Sequence, residues 1–157
     1  MATTTPNNSW PVPTSTDYVK DGATAIESLG DAIDASVGNG LKAWVAYSPT
    51  VTATSGTFTT LVTNASYCQI GKTVHLAVSI GITTAGTATG GIKVTLPVTA
   101  KTGSIAVGSG RENSATGNQL QVYIAGATGT CEIWQYNNAT TIASGRTVLV
   151  SLTYEVA

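Results

Sequence analysis

The sequence predicts a mainly β protein: an antiparallel β-sandwich of jelly-roll type, preceded by an extended N-terminal arm and one short α-helix. Three observations predict it. Charged residues make up only 10% of the 157 residues while Thr, Ala, Gly, Val and Ser dominate, a balance that favours strands over helices. Beyond position 42, apolar residues recur at every second position through run after run, the period of a half-buried strand. Between Thr14 and Val37 alone they recur every three or four positions, the period of a helix.

These periods divide the chain into an arm over residues 1–15, a helix with a glycine linker over 16–40, and a β head over 41–157. In the arm, Pro6, Pro11 and Pro13 remove backbone donors and favour extended conformations. Trp10, Pro11, Val12 and Pro13 form the expected docking segment, with Trp10 as its anchor, because aromatic residues dominate interface energetics. The competing reading is that Trp10 folds back on its own domain.

The helix is expected to start with Thr14 and Asp17 imitating a capping box, and to stop at Gly38, Asn39 and Gly40. Val19, Gly22, Ile26, Leu29, Ile33 and Ser36 lie on one narrow seam, which suits pairing with further copies of the chain. Gly22 is marked as a kink or as the true start of the helix. From Asp21 to Val37 the helix would span about 25 Å. That is too short to hold an oligomer unaided, so the β heads would have to share the interface. A single helix packed on its own sheet is the alternative.

The β runs follow in order. Lys42–Tyr47 and a strand around Val51 come first, then Thr57–Ala65 with Phe58, Thr60 and Val62 on one face. Residues 73–83 give the clearest strand, with Val74, Leu76, Val78, Ile80 and Ile82 alternating with small or polar residues. The segments 83–91 and 111–118 are expected to be loops. Further strands are expected at Ile92–Leu96, at Ile105 and Val107, at Leu120–Ile124, at Cys131–Gln135, and through the last run with Val148, Val150, Leu152, Tyr154 and Val156 inward.

Little chemistry is visible. Every Asp lies between Asp17 and Asp34, so His75, the only histidine, has no Asp on its own domain to complete a Ser–His–Asp arrangement. Glu112 in a glycine-flanked loop and Glu132 and Glu155 in strands are read as exposed positions rather than a glycosidase pair. Cys68 and Cys131 are read as two buried free thiols, with a disulfide between them as the alternative, and with one histidine they are too few for a structural zinc site. No cofactor or metal is expected. Residues 1–41 carry five acidic residues against Lys20, whereas 42–157 carry six cations against three glutamates. That mild basic excess is too small for a nucleic-acid surface. No stretch approaches the length of a membrane span, and the N-terminus lacks the basic and apolar regions of a Sec signal, so folding in a cytoplasm is expected. Carbohydrate binding is the one ligand chemistry with candidates: Tyr123, Trp134 and Tyr136, beside Asn137 and Asn138, bring aromatic faces and amides together. Core and turn roles are the competing explanation.

The opening TPNNSWPVPTSTDYVKDGATAIESLGDAID resembles the N-terminal segment of small virion proteins of tailed phages that infect actinobacteria. YCQIGKTVHLAVSI and LPVTA are similar to the β-rich heads of the same group, known as minor tail, tail-fibre-like or capsid decoration proteins. The resemblance implies a homotrimer on the virion surface, made in the bacterial host cytoplasm, with its N-terminal segment fixed to the particle and its β domains outward. The reading that follows is a non-enzymatic decoration protein held to the major capsid protein by its arm, since the chain is short and has no repeating shaft. The alternative is a minor tail or short tail-fibre protein whose heads bind host cell-wall carbohydrate.

Overall fold

A computed structural model describes residues 3–6, 9–14, 18–40, 43–124 and 129–157, with the backbone alone at 3 and 36–40. The chain forms two compact units, Met1–Lys42 and Ala43–Ala157.

In the first unit, β1 (Thr3–Thr4) pairs antiparallel with β2 (Pro11–Val12). The arm is therefore a small hairpin, closed by Thr5 N–H donating to the Trp10 carbonyl at 2.9 Å and Trp10 N–H donating to Thr5 Oγ1 at 3.0 Å. A 3₁₀ turn, Val19–Asp21, leads into α1 (Gly22–Gly40). The helical segment thus begins after Tyr18, not at Thr14, and Gly22 marks its true α-helical start. The backbone stays helical through Gly38 and Asn39 and ends at Gly40, the last residue of the expected stop. Asp17 of the expected capping box and the Ser36 side chain of the seam lie outside the described residues.

The second unit is one nine-stranded antiparallel sheet. Its strands are β3 (Val45–Tyr47), β4 (Val51–Ser55), β5 (Thr60–Ile70), β6 (Thr73–Thr84), β7 (Thr89–Thr95), β8 (Ala106–Glu112), β9 (Gln119–Ile124), β10 (Thr130–Gln135) and β11 (Arg146–Glu155). Their spatial order is β3-β5-β6-β11-β8-β9-β10-β7-β4. This order forces the shape. The two outermost strands, β3 and β4, are joined by residues 48–50 alone, which can span at most about 14 Å from Tyr47 to Val51. A flat sheet would set nine strands about 38 Å apart edge to edge. The sheet therefore curls until its edges nearly meet, and the Tyr47 hydroxyl of β3 donates to the carbonyl of Thr95 on β7, the neighbour of β4, at 3.4 Å. The mainly β, antiparallel expectation holds, but the separate sheets of a sandwich do not exist: one curled, half-barrel sheet encloses its own core.

The core is the inside of that curl. Val74, Leu76, Val78, Ile80 and Ile82 on β6 and Val148, Val150, Leu152 and Tyr154 on β11 are buried, as the alternation predicts. Leu120, Val122 and Ile124 on β9 face them together with Cys131 and Ile133 on β10. Two strands depart from the expected phase. A register irregularity between Thr60 and Leu61 separates Phe58, which packs on the core, from Val62, which is exposed. The inner face of β8 is Ala106, Gly108, Gly110 and Glu112, so Ile105 and Val107 stand out in solvent. A Cβ on Gly108 would collide with the Ser151 carbonyl oxygen, so the close approach of β8 to β11 requires glycine there. Arg111 and Glu112 belong to β8 and Gly90 and Gly91 to β7, which shortens both expected loops.

Candidate functional site

The outer face of the sheet carries the candidate site, because it holds the polar and aromatic residues that alternate with the core. Cross-strand registers set Thr52, Lys93, Glu132, Tyr123 and Val107 side by side in one row over β4, β7, β10, β9 and β8. Glu132 is the hub. The Tyr123 hydroxyl and the Trp134 Nε1–H donate to its Oε2 at 3.1 and 3.2 Å, and Lys93 Nζ lies 3.4 Å from Oε1. Burial raises the proton affinity of Glu132, but the bonds from Trp134 and Tyr123 and the Lys93 charge outweigh it and hold the carboxyl below its ordinary range. Burial and the Glu132 charge push the Tyr123 hydroxyl up. The cluster therefore keeps a neutral phenol beside a carboxylate at ordinary pH.

Trp134 is half-buried, and the reason lies in β7. Its indole lies against the backbone of Gly91, where a Cβ would collide with Cε2, and its Cη2 edge reaches Gly90. The indole thus packs on bare backbone and, being half-buried, keeps part of its surface open.

A second feature of the outer face is a trough of about 560 Å³ over β5, β6, β11 and β8, lined by Ser66, Ala77, Ser79, Ser109, Arg111 and Leu149 among others. It exists because the outward residues there are small. At the far end of this face, His75 Nδ1 lies 3.0 Å from Thr153 Oγ1.

Of the predicted glycan contacts, Tyr123 and Trp134 are brought together on Glu132. Tyr136 follows the end of β10 in a turn, is exposed, and stands outside this cluster. Glu132 and Lys93 were not predicted as site residues. Lys93 is 39 positions from Glu132, and only the β7–β10 pairing makes them neighbours.

The three glutamates of this unit have three different environments. Glu112 is fully buried, not exposed. Its Oε1 accepts from Ser114 and Thr147 N–H, and its Oε2 from Ala115 N–H, Thr116 N–H and the Thr116 hydroxyl. Burial alone would push its carboxyl up; these donors prevail and hold it well below the usual carboxylate range. Its role is to tie the 113–118 turn to β11. Glu155 pairs with Lys101 at 2.8 Å on the exposed surface. Cys68 faces outward on β5 and Cys131 inward on β10, where burial raises the thiol to about 12. Among the described residues, no three His, Cys, Asp or Glu side chains gather as metal ligands, and no helix is long and apolar enough to cross a membrane.

In the first unit, Trp10, Pro11 and Val12 are half-buried and Pro13 is exposed. Pro11, Val12 and Pro13 line a small cleft against Ala25 and Ser28 of α1. The seam residues divide: Leu29 is half-buried, whereas Val19, Ile26 and Ile33 are 97%, 66% and 37% exposed.

No protein-family model matches the chain, and no curated protein sequence matches it. Its fold is similar to the crystal structure of the receptor binding protein (gp15) of Listeria phage PSA. The TM-score is 0.54 at 20% sequence identity, over 91% of this chain and 82% of that one. At that identity the likeness shows a shared fold.

Proposed function

We propose that this chain is a non-enzymatic host-attachment protein of a tailed-phage virion, whose β unit binds carbohydrate of the host cell wall. The observation that carries this reading is the fold likeness to a phage receptor binding protein over 91% of the chain. Of the two readings of the sequence, it favours the tail protein over the decoration protein docked on the major capsid protein. The outward Trp134–Glu132–Tyr123 cluster supports it from within the chain. Purified protein is expected to compete with phage for adsorption to host cells, and labelled antibody to mark the tail in particle images. Label over the capsid shell with no competition would overturn the reading and restore decoration.

The N-terminal unit is proposed to supply both assembly and attachment, with a homotrimer forming along α1 and the Trp10–Pro13 segment contacting the virion. Val19, Ile26 and Ile33 recur every seven residues and are exposed, which is what a self-associating helix presents before its partners are added. Light scattering is expected to give a trimer mass that falls for the Ile26→Asp, Ile33→Asp double variant. A monomeric parent chain, or a trimer indifferent to these substitutions, would remove the helix from the assembly. Deleting residues 2–15 is expected to leave an oligomer that no longer joins particles; undiminished incorporation would exclude the arm.

A further inference from the structure

The geometry points to a specific ligand class for the outer face of β7, β10 and β9: a neutral pyranoside bearing a vicinal diol, stacked on Trp134 and gripped by Glu132 and Lys93. This rests on the host-wall reading above and narrows it to one site and one chemistry.

Hydrogen-bonding capacity defines the ligand. Glu132 Oε2 already accepts from Tyr123 and Trp134, so its capacity there is filled, while among the described residues Oε1 meets Lys93 alone and retains room for one further donor. Among the described residues Lys93 uses one N–H group on Glu132, which leaves two, and it is 42% exposed at its side chain. An acceptor with spare capacity and a donor with spare capacity therefore stand 3.4 Å apart. Two hydroxyls on adjacent carbons fit this pair, one donating to Oε1 and the other accepting from Nζ.

The indole supplies the remaining contact. Packed on Gly91 and tethered through Nε1 to Glu132, it is a fixed apolar platform beside the polar pair, suited to the C–H face of a sugar ring. Charge favours a neutral ligand. The carboxylate and the ammonium stand side by side, so a uronate or a phosphodiester attracted to Lys93 is repelled by Glu132, and an amino sugar attracted to Glu132 is repelled by Lys93. A neutral diol meets both groups and is repelled by neither. The platform is open rather than enclosed, so a single site binds weakly, and repeated sugars on a polymer would engage several copies at once.

The test uses the full chain on immobilised polymers and on host cell walls. A neutral galactan and a neutral rhamnan are compared with a polyuronate and poly(glycerol phosphate), and walls are assayed before and after mild periodate, which cleaves vicinal diols. The neutral polymers are expected to bind at least one better than both anionic polymers, and periodate to abolish wall binding. Trp134→Ala, Lys93→Met and Glu132→Gln are each expected to weaken binding about tenfold, with unchanged circular dichroism. Lys93→Met keeps the proposal testable should Trp134→Ala fail to fold. Equal or tighter binding of either anionic polymer, no binding to any neutral polymer, or neutral binding unmoved by Lys93→Met overturns the site. Wall binding that survives periodate and all three substitutions refutes this site while leaving host attachment standing. Absence of wall binding and of adsorption competition removes the broader reading as well.

Discussion

The two units of this chain use similar residues and reach opposite results. In the β unit, Val74, Leu76, Ile80, Ile92, Val94, Val122, Ile133 and Val148 are fully excluded from solvent. In the N-terminal unit no described residue is buried, and Val19, Ile26 and Ile33 stand in water. The difference is not apolar content but the ability to enclose it. Nine strands that curl onto themselves make an inside; a two-residue hairpin and one helix do not. An isolated helix of this length is marginal in water, and this one gains no buried apolar contact among the described residues, whereas the β unit encloses its own core.

That contrast can be broken by mutation, and the largest effects belong to the β core. Leu76→Ala and Leu152→Ala are each expected to cost about 2–5 kcal/mol in denaturant unfolding followed by circular dichroism, since both side chains are sealed in the curl. A loss near zero would mean that the enclosed core is not what holds the sheet.

Glu112→Gln comes next, at about 3 kcal/mol, because a buried carboxylate with five donors would become an amide facing some of them. The pH profile carries the sharper signature. The Glu112 carboxyl is depressed in the folded chain, so its contribution is complete above the ordinary value of 4.5 and fades as pH falls below it. Thermal melts of the parent chain are expected to drop on acidification through that window, and those of Glu112→Gln to drop much less. Parallel profiles would assign the acid sensitivity elsewhere, with Glu132 the next candidate.

Gly91→Ala is expected to cost about 1–2 kcal/mol and to change the tryptophan emission, because the added methyl displaces the Trp134 indole. An unaltered spectrum would show that the indole is not held by the β7 backbone. The smallest effect is expected on the other side of the comparison. Ile26→Ala should shift the main unfolding transition by less than about 0.5 kcal/mol, as for an exposed position away from any core. A shift as large as that of Leu76→Ala would show that the β unit draws its stability from the helix after all.

Much of the β unit is legible in the residues alone. Alternation picks out the inward sides of β6, β9 and β11 one by one, whereas the two faces of β10 look alike, and aromatic residues among polar neighbours point to Tyr123 and Trp134. What fails is instructive. Val62 follows the alternating pattern of its segment, yet the irregularity at Thr60 and Leu61 turns it outward. Glu112 looks like a loop acid because nothing local reveals that Thr147, 35 positions away, will donate to it. Pro11 and Val12 suggest a free extended arm because their pairing with Thr3 and Thr4 depends on the turn between them.

By itself, then, the sequence determined which side chains of β6, β9 and β11 shun water and that one helix with a seam of apolar residues precedes the strands. These are short-range properties, set by a period of two or of three to four residues. Only the tertiary structure decided that the strands close into one curled sheet rather than two, that Glu112 is sealed inside, and that Lys93, Glu132, Tyr123 and Trp134 form one cluster. Each of these depends on strand order and register, which bring together residues dozens of positions apart and leave no mark on any local pattern.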